Sequence, residues 1–157
     1  MRSFEDLKQA DDFDLSGIET SYFLLGLLSA YDNRYQAKAD TFFGEISWKQ
    51  FFALICLSLC KENPTLKELA EIMGSSHQNV KQILNKLEKK GFVETVPDVH
   101  DKRKQRIVLT EKTRIFCAEH DEQSERIVSK IFEGIDQNDI GITIKTIMQM
   151  EKNLENI

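Results

Sequence analysis

Apolar residues recur at helical spacing along much of the chain, and over residues 75–91 the opposite face is equally ordered. Read as a helix, this stretch places Val80, Ile83, Leu84 and Leu87 on one side, the spacing of an amphipathic helix docked on a core. Gln78, Gln82, Asn85 and Lys89 then point directly away, flanked by Asn79, Lys81 and Lys86. None of these outward residues is acidic. Amides near the start and lysines near the end suit a helix that enters a DNA groove, because Gln and Asn pair with adenine edges and Lys neutralises phosphates. A solvated surface helix carries the same residue types, so this helix alone leaves both readings open.

Four helix starts share one device, a hydroxyl residue followed three positions later by Glu or Gln, which satisfies free amides reciprocally. They are Ser16 with Glu19, Ser47 with Gln50, Thr65 with Glu68, and Ser75 with Gln78. The pattern predicts a first helix over residues 17–39, with Ile18, Tyr22, Leu25, Leu28 and Tyr31 as a broad apolar face, and a loop at 40–46. A second helix over 48–61 holds seven apolar residues in succession from Phe51, so it should be buried on all sides as a central post. Asn63 and Pro64 break it, since the residue before proline avoids helical backbone. Residues 65–73 then form a short helix with Leu66, Leu69, Ala70 and Met73 inward, and Gly74 closes the turn into the helix described first. Two short helices joined by a tight turn make a helix-turn-helix, whose second member enters the major groove.

Beyond Gly91, residues 92–96 read as a strand, 97–103 as a charged turn and 105–109 as a second strand rich in β-branched residues. A hairpin directly after a helix-turn-helix is a wing, and this one carries Lys102, Arg103, Lys104 and Arg106 at and beside its tip. A long helix follows to about residue 133, then Gly134, then a last helix capped by Asp136 with Ile140, Ile144, Ile147 and Leu154 as its stripe. The middle of the long helix, EHDEQSER at 119–126, is polar, while Ile115, Phe116, Ile127, Val128, Ile131 and Phe132 are gathered at its ends. That distribution suits a helix linking a DNA-reading lobe to a dimer interface. The fold class is mainly α with a small β-hairpin wing.

Charge sharpens this picture. The 157 residues carry a net charge of −5, which argues against a generally basic nucleic-acid coat. Residues 65–110 nevertheless hold nine Lys or Arg against six Asp or Glu, which leaves −8 for the remainder. The basic charge is local, and the acidic body would repel DNA everywhere else. The N-terminus, MRSFEDLKQADD, has acids where a signal peptide needs an apolar core, and the longest apolar stretches are about half the ~20 residues a membrane span requires. A cytoplasmic protein without membrane contact is expected, its three cysteines thiols rather than a disulfide framework.

At the hairpin the sequence resembles the multiple-antibiotic-resistance regulators, the MarR family. Their wing shows Asp, any residue, Arg, three residues, a β-branched residue, one more, and Leu-Thr, which here are Asp101, Arg103, Ile107, Leu109 and Thr110. LNKLEKKGFVE at 84–94 resembles the family's link from recognition helix to wing, and TLKELAEIMGSS at 65–76 its first helix and turn. The resemblance implies a winged helix-turn-helix with N- and C-terminal dimerisation helices, divided as residues 1–45, 46–110 and 111–157. It also implies a homodimer that represses or activates genes by binding a pseudo-palindromic operator in double-stranded DNA, with repression the leading expectation, and that answers to a small aromatic or phenolic effector, an oxidant or occasionally a metal ion. In the family the wing arginine enters the minor groove and the neighbouring aspartate holds it, roles that fall on Arg103 and Asp101. An arginine there meets the enhanced negative potential of a narrow groove.

The remaining candidates can be weighed residue by residue. Gln82 and Asn79 are expected at base edges, with Gln78 divided between that role and the capping box. Ser76 and His77 lie in the first turn, where backbone amides bind a phosphate. Lys81, Lys102, Lys104 and Arg106 are expected at phosphates. Relatives place an effector pocket where dimer lobe meets reading lobe, for which Tyr31, Tyr35, Trp48 and Phe52 are candidate walls, with plain core aromatics the competing reading. Cys56 and Cys60 read as small apolar core residues. Cys117 and His120 supply only two ligands where a metal site needs more, so no metal or cofactor is expected. No nucleophile, base and orienting residue stand together, and no phosphate-binding glycine loop is present, so an enzyme is not expected. The competing functions are a winged-helix adaptor that binds an acidic protein, or a metal- or redox-responsive regulator.

Overall fold

A computed structural model describes residues 17–157. In order these are α1 (Thr20–Ala39), α2 (Trp48–Leu59), α3 (Leu66–Ile72), α4 (His77–Lys89), β1 (Val93–Pro97), β2 (Gln105–Leu109), α5 (Glu111–Ile131) and α6 (Gln137–Leu154). The chain divides into two compact units, one reaching to Thr113 and the other Arg114–Ile157, with the division just inside α5. No helix among the described residues is long and apolar enough to cross a membrane.

In the first unit α2 is the post. It packs against α1, α3, α4 and β2, and buries Gln50, Ala53, Leu54, Cys56 and Leu57. Phe51, Phe52 and Ile55 are only half-buried and Leu59 is exposed, so the expected burial on all sides is not met. Ser47 and Gln50 close the expected capping box at its start, and Thr65 with Glu68 do the same for α3. Leu54, Leu69, Val80, Leu87 and Phe92 are the largest fully buried apolar side chains. Each contributes about 1.5–3 kcal/mol relative to exposure.

Two predicted helix starts are displaced. Ser16 lies outside the described residues, and α1 begins at Thr20 with Glu19 at its N-cap and no side-chain cap. Gly17, at φ +123°, holds the chain out of helical backbone just where the earlier start was expected. The second helix of the helix-turn-helix is capped by Ser76 rather than Ser75. The reason is the turn itself. Gly74 adopts φ +57°, and the amide of Ser75 donates to the carbonyl of Ala70 at 3.0 Å, so Ser75 still belongs to the closure of α3.

The strands pair antiparallel with Val93 opposite Leu109, Thr95 opposite Ile107 and Pro97 opposite Gln105. The amide of Ile107 also donates to the carbonyl of Pro64 at 2.9 Å, which fastens the hairpin to the turn that precedes α3. Thr110 and Thr113 donate their hydroxyls to the carbonyl of Phe92, and the Lys112 ammonium meets Glu45, the carbonyl of Lys90 and the Phe92 ring. These bonds satisfy the end of α4 and the start of β1 at one point.

In the second unit α6 has no buried residue, and Ile142, Ile144, Met148 and Leu154 are all exposed. The middle of α5 is polar and largely exposed, with His120 and Ser124 half-buried and Arg126 paired to Glu122, and Ile115 and Val128 near its ends and Phe132 just beyond are exposed as well. In the first unit, Tyr22, Leu25, Leu27 and Tyr31 of α1 are also open to solvent. Of the apolar positions expected on α1 and α6, Tyr22, Leu25, Tyr31, Ile144, Ile147 and Leu154 are exposed among the described residues, while Leu28 and Ile140 are half-buried.

Candidate nucleic-acid interface

The helix α4 presents the two faces predicted for it. Val80, Ile83 and Leu87 are buried, while His77, Gln78, Asn79, Lys81, Gln82, Asn85, Lys86 and Lys89 are exposed. The Ser76 hydroxyl accepts the amide of Asn79 at 3.3 Å, which removes Gln78 from the expected capping box and leaves its side chain on the outward face. Asn79 is placed differently from the expectation. Its side-chain nitrogen donates to Ser75 Oγ at 2.8 Å, so one end of the amide that would read a base is already committed.

The wing tip is a turn built around two aspartates. The carbonyl of Asp101 accepts the amide of Lys104 at 2.8 Å, and the carbonyl of Lys104 accepts the amide of Asp98 at 3.0 Å. Asp101 holds Arg103 from both carboxylate oxygens, accepting Nε at 3.0 Å and Nη2 at 3.3 Å. The Arg103 side chain is nevertheless 92% exposed. Its guanidinium is thus oriented and open at once, and the same bond holds the Asp101 carboxyl below the usual carboxylate range. Lys102 and Lys104 are exposed beside it.

Arg106 departs from the sequence expectation. Instead of facing phosphates it is 23% exposed and turned into the protein, where Nε donates to Asp98 at 2.5 Å. Its Nη1 donates to Glu68 at 3.1 Å and to the carbonyl of Asn63 at 3.0 Å. The physical cause is the desolvated carboxylate of Asp98, which also accepts the amides of His100 and Asp101 at 2.8 and 2.9 Å. Arg106 and these two amides hold the Asp98 carboxyl well below its ordinary range, and Asp98 raises Arg106 in return. Hydrogen bonds from Thr65 lower Glu68, with a smaller contribution from Arg106. Asp98, Glu68 and Asn63 were not singled out from sequence as partners of Arg106. Glu68 was visible only as a helix cap.

Near the start of α4 lies a cavity of about 440 Å³ within the first unit. Tyr35, Trp48 and Phe52 line it, with Trp48 edge-on to Tyr35 at 4.7 Å and stacked on Phe52 at 6.0 Å. Tyr31 is outside the lining; it stacks on Tyr35 at 6.0 Å from the solvent side of α1. Ser75 and Asn79 border the same space. Burial raises the thiols of Cys56, Cys60 and Cys117, which keeps them protonated and poorly nucleophilic at neutral pH. Among the described residues no three His, Cys, Asp or Glu side chains gather as a metal site.

Comparison with known proteins matches residues 46–104 to the MarR family model. Among solved structures, the chain is similar to the transcriptional regulator PA3341, with 25% identity, TM-score 0.73, and coverage of 85% of this chain and 99% of that one. It is similar to FabT of Streptococcus pneumoniae in complex with DNA, with 23% identity, TM-score 0.62, and coverage of 88% and 99%. It is also similar to CouR of Rhodococcus jostii RHA1 bound to p-coumaroyl-CoA, with 18% identity, TM-score 0.73, and coverage of 85% and 95%.

Proposed function

This chain carries the MarR-family domain within the fold of that family's transcription regulators, and from that premise we propose that it is a sequence-specific DNA-binding regulator. It binds a pseudo-palindromic operator as a homodimer in the cytoplasm and acts as a repressor. Gln78, Gln82 and Lys81 of α4 face the major groove, the first turn at Ser76 and His77 takes a phosphate, and Arg103 enters the adjacent minor groove with Lys102 and Lys104 on the backbone.

The observation that carries this reading is the wing arginine, fixed by a carboxylate and still 92% exposed. Ordering a long cationic side chain at a loop tip has an entropic cost that a purely solvated residue has no reason to bear. A partner that needs one defined arginine geometry supplies the reason, and a narrow minor groove is such a partner. The solved relative with DNA bound lends the same reading support.

The exposed apolar residues of α1 and the apolar stripe of α6, which a second copy would bury, support homodimerisation. Two-fold symmetry then places half-sites about 34 Å apart, one helical turn. A small aromatic effector in the cavity beside Trp48 would act by favouring one separation of the two reading helices; the relative that binds p-coumaroyl-CoA gives that idea its support.

The decisive experiment is selection of bound duplexes from a random pool with the full chain. Enrichment of a two-fold symmetric motif is expected. Recovery of unrelated sequences, with affinity governed by salt alone, would overturn the regulator reading.

A further inference from the structure

Arg106 is the one basic side chain of the wing that does not look outward, and its partners form a continuous path. Asn63, Pro64 and Glu68 lie at the start of α3. From there Arg106 accepts no bond but donates three, to the Asn63 carbonyl, to Glu68 and to Asp98. Asp98 accepts the amide of Asp101, and Asp101 holds Arg103. The neighbouring amide of Ile107 is bonded to Pro64 as well. Every link is a charge-assisted bond or a backbone bond, and the path ends at the exposed guanidinium.

We propose that Arg106 is the positioning residue of the wing, bracing the hairpin against the start of α3 so that Asp98 and Asp101 present Arg103 at a fixed height above the DNA. This rests on the DNA-binding reading above. A direct phosphate contact is the competing role for Arg106, and the geometry opposes it. Two carboxylates flank the guanidinium, so the cluster as a whole is negative and repels a phosphate. Arginine rather than lysine is required, because only a planar fork reaches Asp98 along one edge and Glu68 with Asn63 along the other.

The two roles predict opposite results. Arg106→Lys keeps the charge that a phosphate contact needs but cannot span three acceptors. As a brace, Arg106→Lys lowers affinity for the selected duplex about tenfold, and adds little further loss to Arg103→Ala. Glu68→Gln retains an oxygen for the Thr65 amide and removes a negative charge. If Glu68 were a bystander the variant would bind DNA more tightly; as part of the brace it binds more weakly. Wild-type affinity in Arg106→Lys, or independent losses for Arg106→Lys and Arg103→Ala, would overturn the proposal.

A second readout needs no DNA. Hydrogen exchange at the amides of His100 and Asp101, both bonded to Asp98, should quicken in Arg106→Lys and Glu68→Gln while the amides of α2 stay protected. Unchanged exchange at both amides would overturn the brace. If the unaltered protein preferred no duplex, the regulator reading would fall, and this exchange comparison would still decide whether Arg106 orders the loop.

Discussion

Arg103 and Asp101 are two residues apart at the tip of a five-residue hairpin arm, yet their side chains meet through two parallel bonds, Nε to Oδ1 at 3.0 Å and Nη2 to Oδ2 at 3.3 Å. A fork of this kind fixes the plane of the guanidinium as well as its position. Arg103→Ala should therefore cost about 1–3 kcal/mol of operator binding. Arg103→Lys should recover only part of that loss, because an ammonium cannot be held in a plane. Asp101→Asn should lose less than Arg103→Ala, since the arginine remains but is no longer oriented. Titration of one duplex at fixed salt measures all three, and unchanged affinity for Arg103→Ala would remove the wing from the mechanism.

Acid should loosen the wing only well below neutral pH. Asp98, Asp101 and Glu68 all have folded values below their ordinary ones. A carboxyl depressed on folding contributes stability that is fully present above its unfolded value, near 3.9 for Asp, and that is lost as pH falls through the folded value. These groups therefore give no slope between roughly pH 5 and 8, and a falling limb below about pH 4. Asp98→Asn should flatten that limb, with its urea midpoint changing less between about pH 4 and 2.5 than that of the unaltered chain. Equal slopes in both proteins would mean that the Asp98 bonds do not matter to folding.

The helix-turn-helix and wing were legible in the sequence because their signals are local. The Ser47 and Thr65 boxes, the Asn63-Pro64 break, Gly74 at φ +57° and Gly91 at φ +77° each act within a few residues. The strands are those expected to within a residue. What could not be read is the fate of side chains that bond across sequence. Arg106 and Glu68 are 38 positions apart, so nothing in the strand pattern marks one basic residue of the wing as turned inward. The bond that Asn79 makes is hidden from the sequence for a subtler reason. A one-residue shift of the cap from Ser75 to Ser76 leaves Ser75 as an acceptor for the very amide expected at a base edge. Of the aromatic set, Tyr35, Trp48 and Phe52 meet at the cavity while Tyr31, one helical turn from Tyr35, lies just beyond its rim.

Trp48 is the only tryptophan in the chain and it lines that cavity, which makes occupancy directly observable. An aromatic acid that enters should stack against Trp48 or Phe52, quench the indole fluorescence saturably and raise the melting temperature by mass action. Phe52→Ala should weaken the quenching while leaving the fold in place, because Phe52 is only half-buried. A panel of such acids that leaves both fluorescence and melting temperature unmoved would count against an effector site here.

The oligomeric state gives the last prediction, and it turns on α6. An amphipathic helix whose Ile144, Ile147, Met148 and Leu154 share one face and are 53%, 36%, 62% and 68% exposed leaves its apolar stripe in water, where burial contributes about 25 cal/mol for each Å² covered. Patches of this kind mark an interaction surface, and a stable dimer needs roughly 1,200–2,000 Å² of them. Ile144→Glu places a charge in the middle of the stripe while leaving helix propensity nearly unchanged. Because no residue of α6 is buried within the chain, the variant should keep its helical content and become monomeric by sedimentation. Operator affinity should fall with it, since a monomer engages one half-site and loses the gain in effective concentration that links the second. A variant that remained dimeric would place the interface on α1 and the ends of α5 instead. A wild-type chain that sedimented as a monomer at micromolar concentration would remove the two-fold operator altogether.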